Sequence, residues 1–270
     1  MTDSWELNLL LLVAFLGGLV ALGYALIRRG RKKAERARRA ELNEFAVSIG
    51  GTLVDEGGDA RPWSAGLERA MDDEYGTLVK WLGRASGASF DYALDFSRNG
   101  WHVRVTEASM EIVSSVGTNT TYETRIEVAT TDLVALKITQ VYGGGLGSRW
   151  AQETPVSVER EDRPLWMPLR LPLSISHAFE AYASDLPAAA DFFNADVVEW
   201  LLAQTRQHEL PNLCIESGIA YCVVDGPVLP KFVMRKVDAI IGLLSLVPGS
   251  QRDVAEPITR QQRIEGHPDL

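Results

Sequence analysis

The sequence predicts an α+β protein, an N-terminal transmembrane helix followed by one mostly antiparallel-sheet domain with two main C-terminal helices. Three observations carry that expectation. Residues 7–27 are almost unbroken hydrocarbon with a dense basic run directly behind them. The middle of the 270-residue chain alternates apolar and polar side chains, the period of half-buried strands. Beyond Asn194 the apolar spacing lengthens to that of helices, and strands followed by helices indicate α+β rather than a parallel α/β sheet.

At about 1.5 Å per residue, a helix over 7–27 matches a hydrocarbon core roughly 30 Å thick, with only Asn8 to place near an edge. The leader, 1–6, holds Asp3 and Glu6 and no base, whereas Arg28, Arg29, Arg31, Lys32, Lys33, Arg36, Arg38 and Arg39 follow the span. Positive flanks stay in the cytoplasm, so the expected topology is single-pass in the cell (inner) membrane, leader outside and C-terminal domain cytoplasmic. An acidic leader and a basic exit are the reverse of a cleaved signal peptide. Arg28, Arg29, Arg31, Lys32 and Lys33 are the candidate contacts to anionic lipid, making the bilayer itself a partner. Ala14 and Gly18, and Gly17, Ala21 and Ala25, recur every four residues, a spacing that permits a homodimer through the span.

Residues 28–49 read as a basic juxtamembrane helix with Leu42, Phe45, Ala46 and Ile49 on one face, stopped by Gly50-Gly51. The domain is expected over 50–248. A short strand is expected at 52–54, a Gly- and Asp-rich loop at 55–63, and mixed signals at 67–82. Asn99-Gly100 between alternating runs indicates a type I′ hairpin. Counting outward, Phe96 faces Val103 and Leu94 faces Val105 on one side, and Ser97 faces His102 and Asp95 faces Arg104 on the other. One face is thus apolar and the other carries a cross-strand ion pair. Alternation continues through Tyr122, Thr124, Ile126 and Val128, then Val134, Leu136 and Ile138. Gly143 to Ser148 and the proline-rich 155–172 interrupt it, and a strand returns within 173–183. Val197, Val198, Leu201 and Leu202 have helical spacing, a second hairpin covers 213–224, and Val233, Val237, Ile240, Ile241 and Leu244 form the face of a helix over 229–246. Residues 249–270 lack apolar periodicity and read as a disordered tail.

Charge is unevenly divided: −2 in the leader, +7 over 28–39 and −14 over 40–270. An acidic domain on a basic tether argues against nucleic acid as a partner, which needs basic surface to neutralise phosphate. Cys214 and Cys222 are the only cysteines. A two-residue loop at Ser217-Gly218 sets Cys214 opposite Tyr221 and Cys222 opposite Leu213, so the thiols point to opposite faces and stay reduced.

The run Phe179-Glu180-Ala181-Tyr182-Ala183-Ser184-Asp185, followed by Val197-Val198-Glu199-Trp200-Leu201-Leu202, by a hairpin ending Tyr221-Cys222-Val223 and by a helix over 238–248, resembles a bacterial family of single-pass membrane-anchored proteins of unknown function. The resemblance covers most of 5–248 and is most specific in the C-terminal third, with weaker similarity at 90–96 and 133–138. It implies an architecture and no activity, and it supplies no catalytic residues.

Recognisable chemistry is absent from the sequence. Gly143-Gly144-Gly145-Leu146-Gly147-Ser148 follows a strand but lacks the closing lysine and the helix of a phosphate loop. His208-Glu209 runs into Pro211 and has no second histidine, the other histidines are scattered, and no G-x-S-x-G elbow occurs. Asp72, Asp73 and Glu74 read as a solvated acidic turn. No catalytic, cofactor-binding or metal-ligating residue is therefore assigned. Trp is enriched at binding hot spots, and Trp63, Trp150 and Trp166 fall in loop-like sequence beside Pro or Gly, which makes them the candidate partner-binding residues. The functional expectation is a non-enzymatic, membrane-tethered cytoplasmic binding or scaffold module for a protein partner at the inner leaflet. The alternatives are an enzyme whose groups, such as Asp72, Asp73 and His102, converge only in three dimensions, and an envelope-facing domain if the topology is reversed.

Overall fold

The computed structural model describes residues 4–55, 59–65, 67, 89–114, 117–141, 166–205 and 212–251. The chain divides into two compact units, Met1–Ser48 and Ile49–Leu270. The first is a single helix, α1 (Ser4–Ser48), continuous through both the apolar and the basic stretch.

This overturns the expected transmembrane helix, and with it the membrane and single-pass assignments and the inner-membrane localisation. Among the described residues, no helix is long and apolar enough to cross a membrane. Among the described residues the fold is one large antiparallel sheet with helices.

The second unit is built on nine strands: β1 (Thr52–Asp55), β2 (Ser89–Arg98), β3 (Trp101–Ser114), β4 (Gly117–Ala129), β5 (Leu136–Gln140), β6 (Met167–Leu169), β7 (Phe179–Ala183), β8 (Asn212–Glu216) and β9 (Ile219–Asp225). They form one sheet in the order β1-β2-β3-β4-β9-β8-β5-β7-β6, every neighbouring pair antiparallel. Among the described residues three helices accompany it, α2 (Leu186–Phe192), α3 (Ala195–Gln204) and α4 (Pro230–Leu244).

Local chemistry explains the registers. Asn99 and Gly100 adopt φ of 52° and 81°, the left-handed pair that a type I′ turn demands. β2 and β3 consequently pair Phe96 with Val103, Leu94 with Val105 and Asp95 with Arg104. Ser217 and Gly218 repeat the turn at φ 53° and 73° and set Cys214 opposite Tyr221. Both cysteines are buried and not joined in a disulfide.

Alternation then assigns the faces. Leu94, Phe96, Trp101, Val103, Val105, Ile126, Val128, Ala220 and Ile215 share one face and are buried. α4 packs against β3 and β4 with Val233, Val237, Ile240, Ile241 and Leu244 inward. α3 runs antiparallel to α4, since Asn194 Nδ2 donates to Leu246 O at 3.0 Å while Gly242 abuts the Trp200 ring. The opposite face carries Asp95, Arg104, Thr106, Glu123, Arg125 and Glu127. Past α4 the chain is still bound in: Thr131 donates its amide to Ser250 O at 2.9 Å and its hydroxyl to Gly249 O at 2.7 Å.

Gly51, immediately before β1, lies close against β2. A Cβ there would lie 2.7 Å from Asp95 O and 2.7 Å from Phe96 Cβ, so β1 would have to move off β2. Gly51→Ala is expected to lower unfolding stability by about 1–3 kcal/mol, the usual cost of overpacking, in a urea titration.

Candidate functional site

The polar face of β2, β3 and β4 is a ladder of charge. Arg104 stands opposite both Asp95 and Glu127, and Arg125 stands opposite Thr106 and two residues from each of Glu123 and Glu127. Such a face would ordinarily meet water. Here residues 59–65 lie across it, and Arg104, Glu123, Arg125 and Glu127 are buried.

The charged side chains hold that covering segment by its backbone. Glu127 accepts from Trp63 N at 2.9 Å and from Ser64 N at 2.7 Å, one bond to each carboxylate oxygen. Arg104 donates to Asp59 O at 3.1 Å and to Arg61 O at 2.8 Å, while its other nitrogens grip Asp95 at 2.7 and 2.6 Å. Arg125 donates to Glu123 at 2.7 Å and reaches the Ser64 hydroxyl at 3.3 Å. The Trp63 ring then lies 5.4 Å from the Arg104 guanidinium and packs on Cys214, Ile219 and Tyr221. The Tyr221 hydroxyl in turn donates to Glu216 at 2.7 Å.

Burial sets the protonation behaviour. It pushes the Glu127 carboxyl above its ordinary value, against the opposing pull of the Ser64 hydroxyl, the Ser64 and Trp63 amides and the Arg125 charge. For Arg104, burial alone would lower the value, but the hydrogen bonds and charge of Asp95 prevail and it is raised. These groups neutralise and position one another, which is the work of a structural network. On the apolar face Glu107 plays the same part, accepting from Val228 N at 2.7 Å where the chain enters α4.

A second feature lies at the far edge of the sheet. Beside β6 and β7 an open cleft of about 670 Å³ is lined by Pro168, Arg170, Leu173, Ser176, Glu180 and Tyr182 among others. Leu173 is 93% exposed at its rim. The Tyr182 hydroxyl donates to Glu180 at 3.4 Å; partial burial, then the Glu180 charge and that bond, raise the phenol against the pull of Lys137.

The hydrogen-bond phase of β7 defines what this edge can do. Ser184 N donates to Ala135 O at 3.1 Å and Val141 N to Ala178 O at 2.8 Å, so the even-numbered residues of β7 bond towards β5. The odd-numbered ones, Ala181 and Ala183, therefore bond β6, and Pro168, opposite Tyr182, turns its backbone outward. Proline has no N–H to offer there, and Phe179 N is already given to Ile175 O at 3.0 Å. Addition of a further strand is blunted, leaving the cleft to receive side chains.

The sequence candidates fall in several places. Trp63 is half-buried under the constraints above, a structural wedge over Arg104. Trp166 is half-buried immediately before β6, with β5 and β7 standing between β6 and the β8–β9 hairpin that Trp63 touches. The two tryptophans do not form one patch. Trp150 lies outside the described residues, as do Asp72, Asp73, Glu74, the glycine run 143–148 and His208-Glu209. His102 is half-buried opposite Ser97 and is not part of the cleft. Arg28, Arg29, Lys32 and Lys33 are exposed on α1, which also contains Arg31. Among the described residues no group of three His, Cys, Asp or Glu side chains could hold a metal ion. No family model, curated protein or solved structure matches the chain.

Sequence reasoning missed the buried ladder because Glu123, Arg125 and Glu127 alternate with apolar residues exactly as a solvated strand face does. It missed the cleft because the proline-rich 155–172 conceals β6.

Two outcomes test the ladder. Glu127→Ala strands the Trp63 and Ser64 amides and should cost about 3–5 kcal/mol, measured by chemical denaturation. The pH dependence has a definite sign. The folded-state carboxyl lies above its ordinary 4.5, so its favourable contribution is fully present below that value and is lost as pH rises through the raised one. The stability of the natural protein relative to Glu127→Gln should thus fall with rising pH. A relative stability that instead climbs would mean the surrounding donors outweigh burial.

Proposed function

We propose that the chain is a non-enzymatic binding module for a protein partner, and that the cleft beside β6 and β7 is its receptor surface. The cleft is the observation that carries this reading. It is open, and it joins apolar walls to one guanidinium, one carboxylate and one phenol, the mixture that receives an apolar side chain and fixes the polar groups around it. The ladder beneath residues 59–65 supports the same reading from the other side, because its ionisable groups are engaged in holding backbone. Since Pro168 blunts strand addition, recognition depends on side chains, with Leu173 and Tyr182 as the contact points of greatest weight.

Panning a random peptide library on the full chain tests the proposal. Selected peptides should bind the natural protein and lose at least roughly tenfold in affinity, about 1.4 kcal/mol, with Leu173→Asp or with Arg170→Glu. Peptides that bind these variants and the natural protein equally would remove the cleft from the account.

A further inference from the structure

The helical layer is electrically polar from end to end. α4 opens on Leu229, whose side chain makes no capping hydrogen bond, and has no acid in its first turn. It carries Lys231 there, with Arg235 and Lys236 one turn on, like-signed with the positive end of its own helix dipole. Natural helices place acids at this end, so the start of α4 breaks a local rule, and such breaks concentrate at functional surfaces. Two large apolar side chains sit within the basic group: Phe232 is 53% exposed and Leu229 46%. The Arg235 guanidinium stacks on Phe232 at 4.8 Å.

The other end has the opposite character. α3 is antiparallel to α4 and begins beside the end of α4, as the Asn194 to Leu246 bond fixes. Asp196 and Glu199 are exposed there, Asp191 precedes them on α2, and Leu202, 38% exposed, follows one turn on. Within this layer Asp238 is already paired with Arg98 at 2.9 and 3.1 Å. About ten helical residues, on the order of 15 Å, separate the basic and acidic ends.

We infer that the chain forms a two-fold dimer through this layer, the basic start of α4 in one copy meeting the acidic start of α3 in the other. A two-fold axis across the layer brings both complementary pairs together at once and closes the assembly. Lys231 and Arg235 face Asp196 and Glu199, while Phe232 and Leu229 meet Leu202. The second copy is the fitting occupant because it supplies an acidic end and an exposed leucine to match the basic end and its exposed Phe232 and Leu229.

Sedimentation equilibrium of the full chain reads this directly. The expected result is a dimer whose dissociation constant weakens at least roughly tenfold between about 20 mM and about 500 mM salt. Lys231→Glu with Arg235→Glu, and separately Asp196→Lys with Glu199→Lys, should each weaken dimerisation at least roughly tenfold. An equimolar mixture of the two variants should recover a heterodimer, which misfolded chains could not do. Phe232→Ser, which leaves every charge in place, should weaken the dimer as well. A monomer at all concentrations, a dimer unchanged in either charge variant, or a mixture that does not recover would each overturn the inference.

Discussion

The burial of ionisable side chains beneath segments that cross the sheet is the constraint on which the domain depends. A carboxylate or guanidinium removed from water must meet formal charge or hydrogen-bond donors and acceptors of comparable strength. Glu127 meets it with the Trp63 and Ser64 amides, Arg104 with Asp95 and two carbonyls, and Glu107, on the opposite face, with the Val228 amide. The same bonds satisfy the charge and locate the crossing segment. Because either party alone would be left unpaired, the network specifies one arrangement of residues 59–65 over β3 and β4 and one entry into α4.

That arrangement divides the surfaces of the domain. The apolar face holds α4, the polar face is closed over β2 to β4, and the sheet order places β6 at the edge furthest from β1. The surfaces proposed for recognition are the β6–β7 cleft and the ends of the helical layer, where the exposed Leu173, Phe232, Leu229 and Leu202 are found. Engagement of a partner at these places leaves the buried charges undisturbed.

Local signals were legible in the sequence where the chain encodes its own geometry. Asn99-Gly100 and Ser217-Gly218 determine hairpin registers, and those registers assign Phe96, Val103, Asp95, Arg104 and both cysteines to faces without further information. α2 was not anticipated: Asp185 caps Ala188 N with a proline in the first turn, but its seven residues are too short for periodicity to reveal. What alternation could not convey is which polar face is covered. Glu123, Arg125 and Glu127 have the pattern of a wet strand, and their burial arises from a segment about 60 residues earlier in the chain. The apolar 7–27 shows the converse limit: hydropathy along the sequence implied a membrane crossing, and among the described residues no helix has the length and apolarity for one. Of the candidate partner-binding residues, Trp63 is half-buried and packs beside the Arg104 guanidinium and the Cys214–Ile219–Tyr221 cluster, a placement that its loop-like sequence does not convey. The cleft depends on the backbone phase of β7 and on Pro168, neither of which composition reveals.

Native-state hydrogen exchange at the Trp63 and Ser64 amides tests the central claim most directly, because these two protons are the ones that Glu127 accepts. They belong to no strand or helix, and the buried Glu127 carboxylate is the acceptor of both. The account requires both to exchange as slowly as the amides of β3 and β4. Exchange at the rate of unprotected loop amides would contradict it, since residues 59–65 would then not be fastened to the charge ladder.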